Sequence, residues 1–455
     1  MILFIPSTTP SIKLMSQLAG WLSSRGHNSA LVMNGQQRAA LESMGVADHG
    51  VIDFKTLERI QEPSTTTKVG SGDSPSLSSR RRSVGLLERM HQMPQTLAIL
   101  ALALYWALQI LRFRWLWRSK VRDIGCTVAF VWGDNAGTTN GELLDLLKAH
   151  GAKLVHLPIA LSDQQIIAQL RIKSAVMHRD STAMSRWLAR RFPDQILDYN
   201  GHQLFYFHPA EILAMSALGF LPGKPWVIGQ SRADRVCFAD ESQRQYWISC
   251  GLDAAKAEVI GNFDMQNMLD EFEKLRVSHP RIFSTKRPLI LFNMPNFVEH
   301  RIIGSWEEYW TDLGRFIEPF ARAGYELVAS LHPKAVRDHY EPELGKYNCT
   351  VTQGSVGAWI AASDIYVSCC SSTETIASEI GVPTLDIGPM YRFESTVLRR
   401  LHGIHMCESV ADYQGLSRQL RATLPSTPRR AERATWSSEA RPFERIEQLV
   451  LNGAA

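Results

Sequence analysis

Short apolar runs alternate with segments of helical periodicity along most of the chain. At the amino terminus, the apolar run at 2–5 is followed by a helical pattern at 12–24 and by a second apolar run at 29–33. Further strands are predicted at 51–54, 126–131, 153–157, 225–229, 235–239, 289–293, 326–331, 349–352, 365–368 and 384–387. Strands that alternate with helices in this way are typical of parallel sheets covered by helices. The pattern predicts an α/β fold of two doubly wound domains that face a central cleft.

The alternation also predicts where the domains begin and end. The first domain is expected at 1–270, the second at 287–425, and a C-terminal helical tail at 426–455. The charged residues at 270–286 are interpreted as a loop-like interdomain connection after a helix, and residues 163–216 are expected to be mostly helical. A chain of 455 residues is long enough for two such domains.

Two segments of the first domain break its pattern. Residues 62–83 are mostly Ser, Thr, Gly, Pro, Lys and Arg, which bury too little apolar surface to order a chain, so they are predicted to form a mobile loop. Residues 85–120 predict a helix whose run at 97–111 is uncharged and whose end is basic and rich in Trp. That run is shorter than the roughly 20 residues that span a bilayer. The alternatives are a helix buried in the first domain, a helix that contacts a membrane surface through 97–120, and a membrane span.

Composition and charge remove several classes of function. The net charge of +4 is small for this length, whereas a nucleic-acid-binding protein presents a concentrated basic face. Nucleic acid is therefore not an expected partner. The seven cysteines are odd in number and show no C-x-x-C spacing, which indicates a reduced, cytoplasmic compartment without a zinc site. Acidic residues do not cluster at the spacing of magnesium ligands, so neither a metal nor a cofactor is expected.

Residues suited to phosphate binding follow the strands of the second domain. Unpaired N–H groups where a helix begins favour phosphate, and ligands of parallel sheets lie outside the carboxyl ends of the strands. The sequence therefore predicts a nucleotide or nucleotide-sugar site there. Its candidate residues are Lys334, Gln353, Ser371, Ser372, Thr373 and Glu374. The alternative for the two serines is a helix cap without a ligand, and for Lys334 a solvated side chain.

Catalytic candidates come from both domains. His332 follows a predicted strand and is placed to bind or protonate the phosphate of a leaving group, although a His-Pro pair also ends strands. Asp134 follows a strand of the first domain and is the candidate base for an acceptor hydroxyl, although Asp is also common in structural turns. A third candidate, Glu299, lies with His300 and Arg301 in a charged segment that is interpreted as a cleft loop.

Several segments resemble the non-hydrolysing UDP-N-acetylglucosamine 2-epimerases. Residues 232–247, followed by Gly251 and 259–262, are similar to the interdomain segment of these enzymes and of related GT-B glycosyltransferases. Residues 9–13 resemble their first phosphate-proximal turn, which implies that Thr9 and Lys13 lie near phosphate. Residues 131–134 and 296–301 resemble their Gly-Asp turn and their cleft loop. The resemblance implies a GT-B-like fold of two Rossmann-like domains.

The second domain resembles a different group more closely. Where the epimerases have Ser-Gly-Gly and a glutamate pair, this chain has 370–372 and 375–376 without either motif, and Thr9 replaces their first arginine. His332-Pro333 with Ser371-Ser372 is similar to the motifs of bacterial sialyltransferases, Kdo transferases and CDP-glycerol glycerophosphotransferases. This resemblance implies a glycosyltransferase of capsule or other envelope polysaccharide biosynthesis. Its partners would be a nucleotide-activated sugar or polyol and an envelope glycan or lipid-linked acceptor, met in the cytoplasm or at the inner membrane face.

Two other functions remain open at the level of the sequence. One is a nucleotide-sugar 2-epimerase, which would form product without an acceptor. The other is a non-catalytic protein that binds glycan or nucleotide within a polysaccharide assembly complex. Fold-level resemblance does not choose between them, because function depends on the site.

Overall fold

The structure is a computed structural model that describes residues 1–6, 9–43, 50–57, 94–157, 163–266, 268–299, 302–332, 335–352, 355–393, 395–424 and 442–452. Several sequence predictions lie outside the described residues. These are the mobile loop at 62–83, the beginning of the helix predicted at 85–120, the side chain of Thr9, and His300, Arg301, Lys334 and Gln353.

A seven-stranded parallel sheet forms the centre of the first domain. Its strands are β1 Ile2–Ile5, β2 Ser29–Met33, β3 Val51–Asp53, β4 Val128–Val131, β5 Lys153–His156, β8 Arg235–Phe238 and β9 Ala257–Val259, and a separate hairpin is made by β6 Ile196–Tyr199 and β7 His202–Phe205. The strand order is β3-β2-β1-β4-β5-β8-β9. The helices are α1 Thr9–Ser24, α2 Gly35–Ser43, α3 Gln95–Ile124, α4 Thr138–Ala149, α5 Gln164–Ile172, α6 Ala183–Arg191, α7 Pro209–Ala217 and α8 Glu241–Ser249.

A six-stranded parallel sheet forms the centre of the second domain. Its strands are β10 Leu289–Met294, β11 Glu326–Leu331, β12 Cys349–Val351, β13 Ile365–Ser368, β14 Thr384–Asp386 and β15 Ile404–Met406, in the order β12-β11-β10-β13-β14-β15. The remaining helices are α9 Met268–Ser278, α10 Pro280–Ser284, α11 Trp306–Arg322, α12 Glu341–Gly345, α13 Val356–Ala362, α14 Glu374–Glu379, α15 Val410–Thr423 and α16 Pro442–Asn452. Both sheets reverse strand order beside their first strand, as doubly wound folds do. The predicted fold class is therefore confirmed.

Three local predictions were wrong. The segment at 225–229 is a series of turns, and a further strand, β15, follows the one predicted to be last. Residues 270–286 form α9 and α10, because Phe272, Leu275 and Ile282 face the core of the second domain while the charged residues between them face solvent. The stretch at 163–216 is mostly helical, as predicted, but it also contains the β6–β7 hairpin, which the sequence did not predict. Its turn is Asn200-Gly201, both with positive φ, the residue pair that favours two-residue hairpins.

The long helix α3 belongs to the first domain and keeps an apolar outer face. Its inner face is buried, and Arg114 forms a two-point ion pair with the buried carboxylate of Glu142 at 2.6 and 2.7 Å. By length and apolar composition alone, α3 is a candidate to cross a membrane. However, β3 and β4, which precede and follow it in the chain, belong to one sheet. The exposed outer residues, here called the leucine stripe, are Leu97, Leu100, Leu104, Leu108, Leu111 and Trp115.

The carboxyl ends of the two sheets face each other across a cleft. Asn262, which follows β9, donates to the hydroxyl of Thr375, which follows β13, at 3.0 Å. Near the other side, the Asp163 carboxylate accepts from the Ser395 hydroxyl at 2.8 Å and from a neighbouring backbone N–H. Helix α16 returns to the first domain, where Glu447 pairs with His27. The residues that follow the strands of both sheets are therefore brought to one place.

Candidate functional site

The carboxyl edge of the second sheet gathers most of the predicted donor-site residues. His332 ends β11, Glu299 lies on the turn after β10, and Ser371 and Ser372 follow β13. Because β11, β10 and β13 are neighbours in the sheet, these residues share one edge. His332 and Ser372 are exposed there. Glu299 is also exposed, and it accepts a hydrogen bond from the hydroxyl of Tyr340 at 3.0 Å.

The turn from 369 to 374 is organised by its own side chains. Cys370 adopts a φ of +47°, a strained value for a residue with a side chain, and its N–H donates to Asp386 at 2.8 Å. The Ser371 N–H donates to Glu374 Oε1 at 2.9 Å, and the Ser371 and Thr373 hydroxyls are 2.8 Å apart. These bonds fix the turn and present hydroxyl groups toward the cleft.

Buried polar atoms beside this turn lack partners. Among the described residues, neither amide atom of Asn296 has a hydrogen bond, and the Ser368 hydroxyl and Glu374 Oε2, which lie beside each other, form no hydrogen bond of normal geometry. Asn296 is 6% exposed and the other two are more deeply buried. An unpaired buried polar group costs about 1–3 kcal/mol, so such groups call for an explanation such as a bound ligand or ion. All three residues lie at or just after the carboxyl ends of β10 and β13.

Glu374 and Asp386 form a buried acidic pair in the same place. Burial, reinforced by the negative charge of Asp386, raises the pKa of Glu374 well above its usual range. Burial also raises the pKa of Asp386 to about 6, although N–H bonds from Cys370 and Gly388 oppose the shift. The raised pKa favours the protonated form of Glu374, which donates a hydrogen bond, whereas the lower pKa of Asp386 favours its ionised form at neutral pH.

A cavity of about 540 Å³ opens at the carboxyl edge of the first sheet. Its walls are residues at or after the ends of β1, β2, β3 and β4, together with side chains from α4, α5, α7 and the segment that leads into α7. Aromatic side chains of Phe54, Trp132 and Phe207 line it, and Arg171 and Glu211 are its charged lining residues. Thr138, a β-branched residue with a φ of +49°, also lines it. Strain of this kind is concentrated at functional sites.

Asp134 lies next to the cavity wall, but its carboxylate stabilises the fold. It is fully buried, and its carboxylate accepts backbone hydrogen bonds from Gly229 at 2.8 Å, Ser231 at 3.1 Å and Arg232 at 2.9 Å. The Arg232 side chain in turn donates to the carbonyl of Asp134. This arrangement braces the turn from 229 to 233 against β4. It does not fit the predicted role of Asp134 as a base for an acceptor hydroxyl.

The structure also locates residues that the sequence did not single out. Asn296 and Ser368 become candidates through their burial without partners, and Arg171, Tyr206 and Glu211 through their place in the cavity. In the sequence, the only indication of these residues was their place near aromatic residues and near the ends of predicted strands. Of the remaining predicted site residues, Lys13 is exposed on α1. Among the residues that the structure describes, no three His, Cys, Asp or Glu side chains are grouped so as to hold a metal ion.

Comparison with known proteins shows that the chain is similar in structure to several solved proteins. No family model matches the chain, and no curated protein matches its sequence. The chain is similar to the UDP-GlcNAc 2-epimerase from Neisseria meningitidis bound to UDP-GlcNAc, with a TM-score of 0.50, 11% identity and coverage of 99% of both chains. A Listeria monocytogenes protein assigned as a UDP-N-acetylglucosamine 2-epimerase gives a TM-score of 0.51 and 13% identity, over 99% of this chain and 96% of that one. The spinosyn forosaminyltransferase SpnP gives 0.49 and 13%, over 99% of both chains.

At this level of identity the likeness concerns the fold. It agrees with the strand orders of the two sheets and with the cleft between their carboxyl ends. The fold implied by the sequence resemblance is thereby confirmed: the chain has the GT-B fold, with two Rossmann-like domains, as in UDP-GlcNAc 2-epimerase.

Proposed function

We propose that this protein is a glycosyltransferase that transfers a sugar or polyol unit from a nucleotide-activated donor to a cell-envelope glycan or a lipid-linked acceptor. The donor would bind at the carboxyl edge of the second sheet and the acceptor in the cavity of the first. One observation carries the proposal. The buried polar groups of Asn296, Ser368 and Glu374 lie at the carboxyl edge of the second sheet, and a cavity large enough for a sugar unit lies at the carboxyl edge of the first.

The donor site has groups suited to a diphosphate. The hydroxyls of Ser371 and Ser372 are donors to phosphate oxygens, and the protonated Glu374 is a donor where an ionised carboxylate would repel phosphate. His332, exposed at the end of β11, would bind or protonate the leaving phosphate. The Neisseria neighbour is bound to UDP-GlcNAc, which favours a nucleotide sugar as the ligand of this fold.

A base for the acceptor hydroxyl is available in the cavity. Glu211 lines it, and its Oε2 accepts the N–H of His208 at 3.1 Å, so the other carboxylate oxygen has no partner among the described residues. Burial raises the pKa of Glu211 above its usual range. A raised pKa makes a carboxylate a better proton acceptor near neutral pH. We therefore propose Glu211 as the base in place of Asp134.

The leucine stripe favours an acceptor at a membrane surface. Its six residues recur at helical spacing on one side of α3, and Trp115 is 79% exposed. Arg112, Arg118 and Lys120 follow the apolar run on the same helix. An apolar face with Trp and basic residues at its end suits the headgroup level of an anionic bilayer. The enzyme would thus act in the cytoplasm at the inner membrane face.

The nucleotide-sugar 2-epimerase remains the second candidate, because two neighbours of the same fold bear that assignment. An epimerase needs one nucleotide-sugar site and no acceptor. The open cavity opposite the donor edge favours transfer, since it offers room for a second substrate.

The test begins with thermal melting of the purified protein in the presence of CMP, CDP, UDP, GDP and their sugar conjugates. A nucleotide that binds the folded protein raises its melting temperature. We expect one base to give a clear shift, and Ser371→Ala with Ser372→Ala to remove it. Ser284→Ala, at an exposed position away from the cleft, is the matched control.

The donor that binds is then incubated with the protein and followed by NMR. Transfer predicts little change until a membrane extract that contains acceptor is added. Conversion of the donor alone into its C2 epimer would support the epimerase instead. The absence of a shift with every nucleotide, in a protein shown to be folded, would contradict both enzymes and favour a non-catalytic binding protein.

A further inference from the structure

A cation in the cavity of the first domain has unused hydrogen-bond donors. Arg171, at the end of α5, is half-buried and lines the cavity. Its Nε is shielded from solvent without an acceptor among the described residues. Its guanidinium carbon lies 5.5 Å from the centroid of the Tyr206 ring. A buried donor without an acceptor is costly, and the guanidinium fork matches carboxylate and phosphate.

Tyr206 adds a second donor beside the arginine. Its hydroxyl accepts a hydrogen bond from Asn135 Nδ2 at 2.6 Å, and no described residue accepts one from it. Burial raises the pKa of Tyr206 to about 12, so the hydroxyl keeps its proton at neutral pH. The cavity therefore presents two neighbouring donors, one of them charged, that have no acceptor among the described residues.

The other charge in the cavity lies apart from this pair of donors. Glu211 feels the charge of Arg171, but no ion pair joins the two side chains, and one carboxylate oxygen of Glu211 accepts the N–H of His208. Trp132 and Phe54 supply apolar surface to the same cavity. Aromatic surface, a carboxylate and a separate cation together suit a sugar that carries both hydroxyl groups and a negative charge.

We infer that the cavity selects an acceptor saccharide bearing a carboxylate or phosphate group, which Arg171 and Tyr206 bind. The assignment of this saccharide as the acceptor rests on the proposed function, whereas the preference for an anionic sugar rests on the cavity alone. The neutral end of the sugar would lie toward Glu211, with its reacting hydroxyl near that carboxylate.

The test measures the affinities of the full-length protein for three probes by titration calorimetry: glucose, glucuronate and glucose 6-phosphate. We expect one anionic probe to bind at least tenfold more tightly than glucose. Glucuronate as the better ligand would identify a carboxylate acceptor, and glucose 6-phosphate a phosphorylated one. Arg171→Gln should reduce this preference to about one, and Arg171→Lys should retain part of it.

Lys173→Gln is the matched control, because it removes one charge from an exposed position two residues away. It should keep the full preference. Melting curves of each variant report whether it folds. Equal affinities for glucose and both anionic probes, or a preference that survives Arg171→Gln, would overturn the inference. Nucleotide binding is measured in the same samples. A wild-type protein that binds no nucleotide would contradict the proposed donor site. The preference for an anionic sugar would still be decided by the three sugar titrations alone.

Discussion

The first domain offers a cavity of about 540 Å³ at the carboxyl ends of its strands, whereas the matching edge of the second domain holds buried polar atoms of Asn296, Ser368 and Glu374 that form no regular hydrogen bond among the described residues. Both edges belong to parallel sheets that reverse order beside their first strand. Both also hold a non-glycine residue of positive φ, Thr138 in one and Cys370 in the other. The same fold therefore provides one edge with an open, aromatic-walled cavity, here called the open edge, and one edge whose unpaired polar atoms are shielded from solvent, here called the closed edge, as two different substrates require.

The largest expected effect distinguishes two roles for Asp134 beside the open edge: stabilising the fold or acting in catalysis. Asp134→Ala leaves four backbone N–H groups without this acceptor, and each buried unpaired donor costs about 1–3 kcal/mol. We expect a loss of about 3–5 kcal/mol in the free energy of unfolding by denaturant. Asp123→Ala, at an exposed position, should change it by less than about 0.5 kcal/mol. A stable Asp134→Ala protein that lacks activity would instead restore Asp134 as a catalytic base.

At the closed edge, the second prediction concerns the proton on Glu374. Glu374→Ala removes the donor and should weaken nucleotide binding by about 30-fold, near 2 kcal/mol, as for hydrogen bonds to charged groups. Glu374→Gln keeps a donor of the same shape and should stay within about threefold of the wild type. Titration with the nucleotide identified by thermal shift measures both. Glu379→Gln on the same helix is the control. Equal losses in the Gln and Ala variants would contradict a neutral Glu374.

How much of this structure the sequence predicts depends on how far apart in the chain the interacting residues lie. Strands β1 and β10 are apolar runs that any sheet would bury, and His332 and Ser371 follow strands by their position in the chain. Asp134, in contrast, owes its role to backbone groups nearly a hundred residues away. Such a contact leaves no local pattern. For the same reason the sequence does not identify Arg171. Its guanidinium lies over the ring of Tyr206, which directly follows a hairpin that the helical prediction missed.

The third prediction follows from the acidic pair of the closed edge. The folded-state pKa of Asp386 is about 6, above its ordinary 3.8, so the folded protein binds more protons than the unfolded chain between these values. Stability is then greatest below pH 4 with respect to this group and falls as pH rises through 6, by roughly 3 kcal/mol. Asp386→Asn should flatten this part of the profile, measured by urea unfolding at several pH values. An unchanged slope in the variant would contradict the assignment.

The smallest expected effect concerns the leucine stripe on the outer side of the first domain. The described helices of the second domain have no counterpart to this stripe. Leu104→Glu with Leu108→Glu should reduce binding to vesicles rich in phosphatidylglycerol by about tenfold, because it places charge on the leucine stripe. Melting should be unchanged, since both side chains are exposed. Leu170→Glu, an exposed leucine elsewhere in the domain, is the control. A stripe that pairs two copies of the chain would instead appear as a loss of dimer in sedimentation.

The central claim is that the two edges bind different substrates. Hydrogen–deuterium exchange of the full-length protein, with and without the nucleotide that gives the largest thermal shift, tests it most directly. We expect slower exchange at 291–299 and 366–376, where unpaired buried groups gain partners, and unchanged exchange at 131–138 around the cavity. Protection confined to the cavity of the first domain would contradict the account, because the nucleotide would then occupy the site assigned to the acceptor.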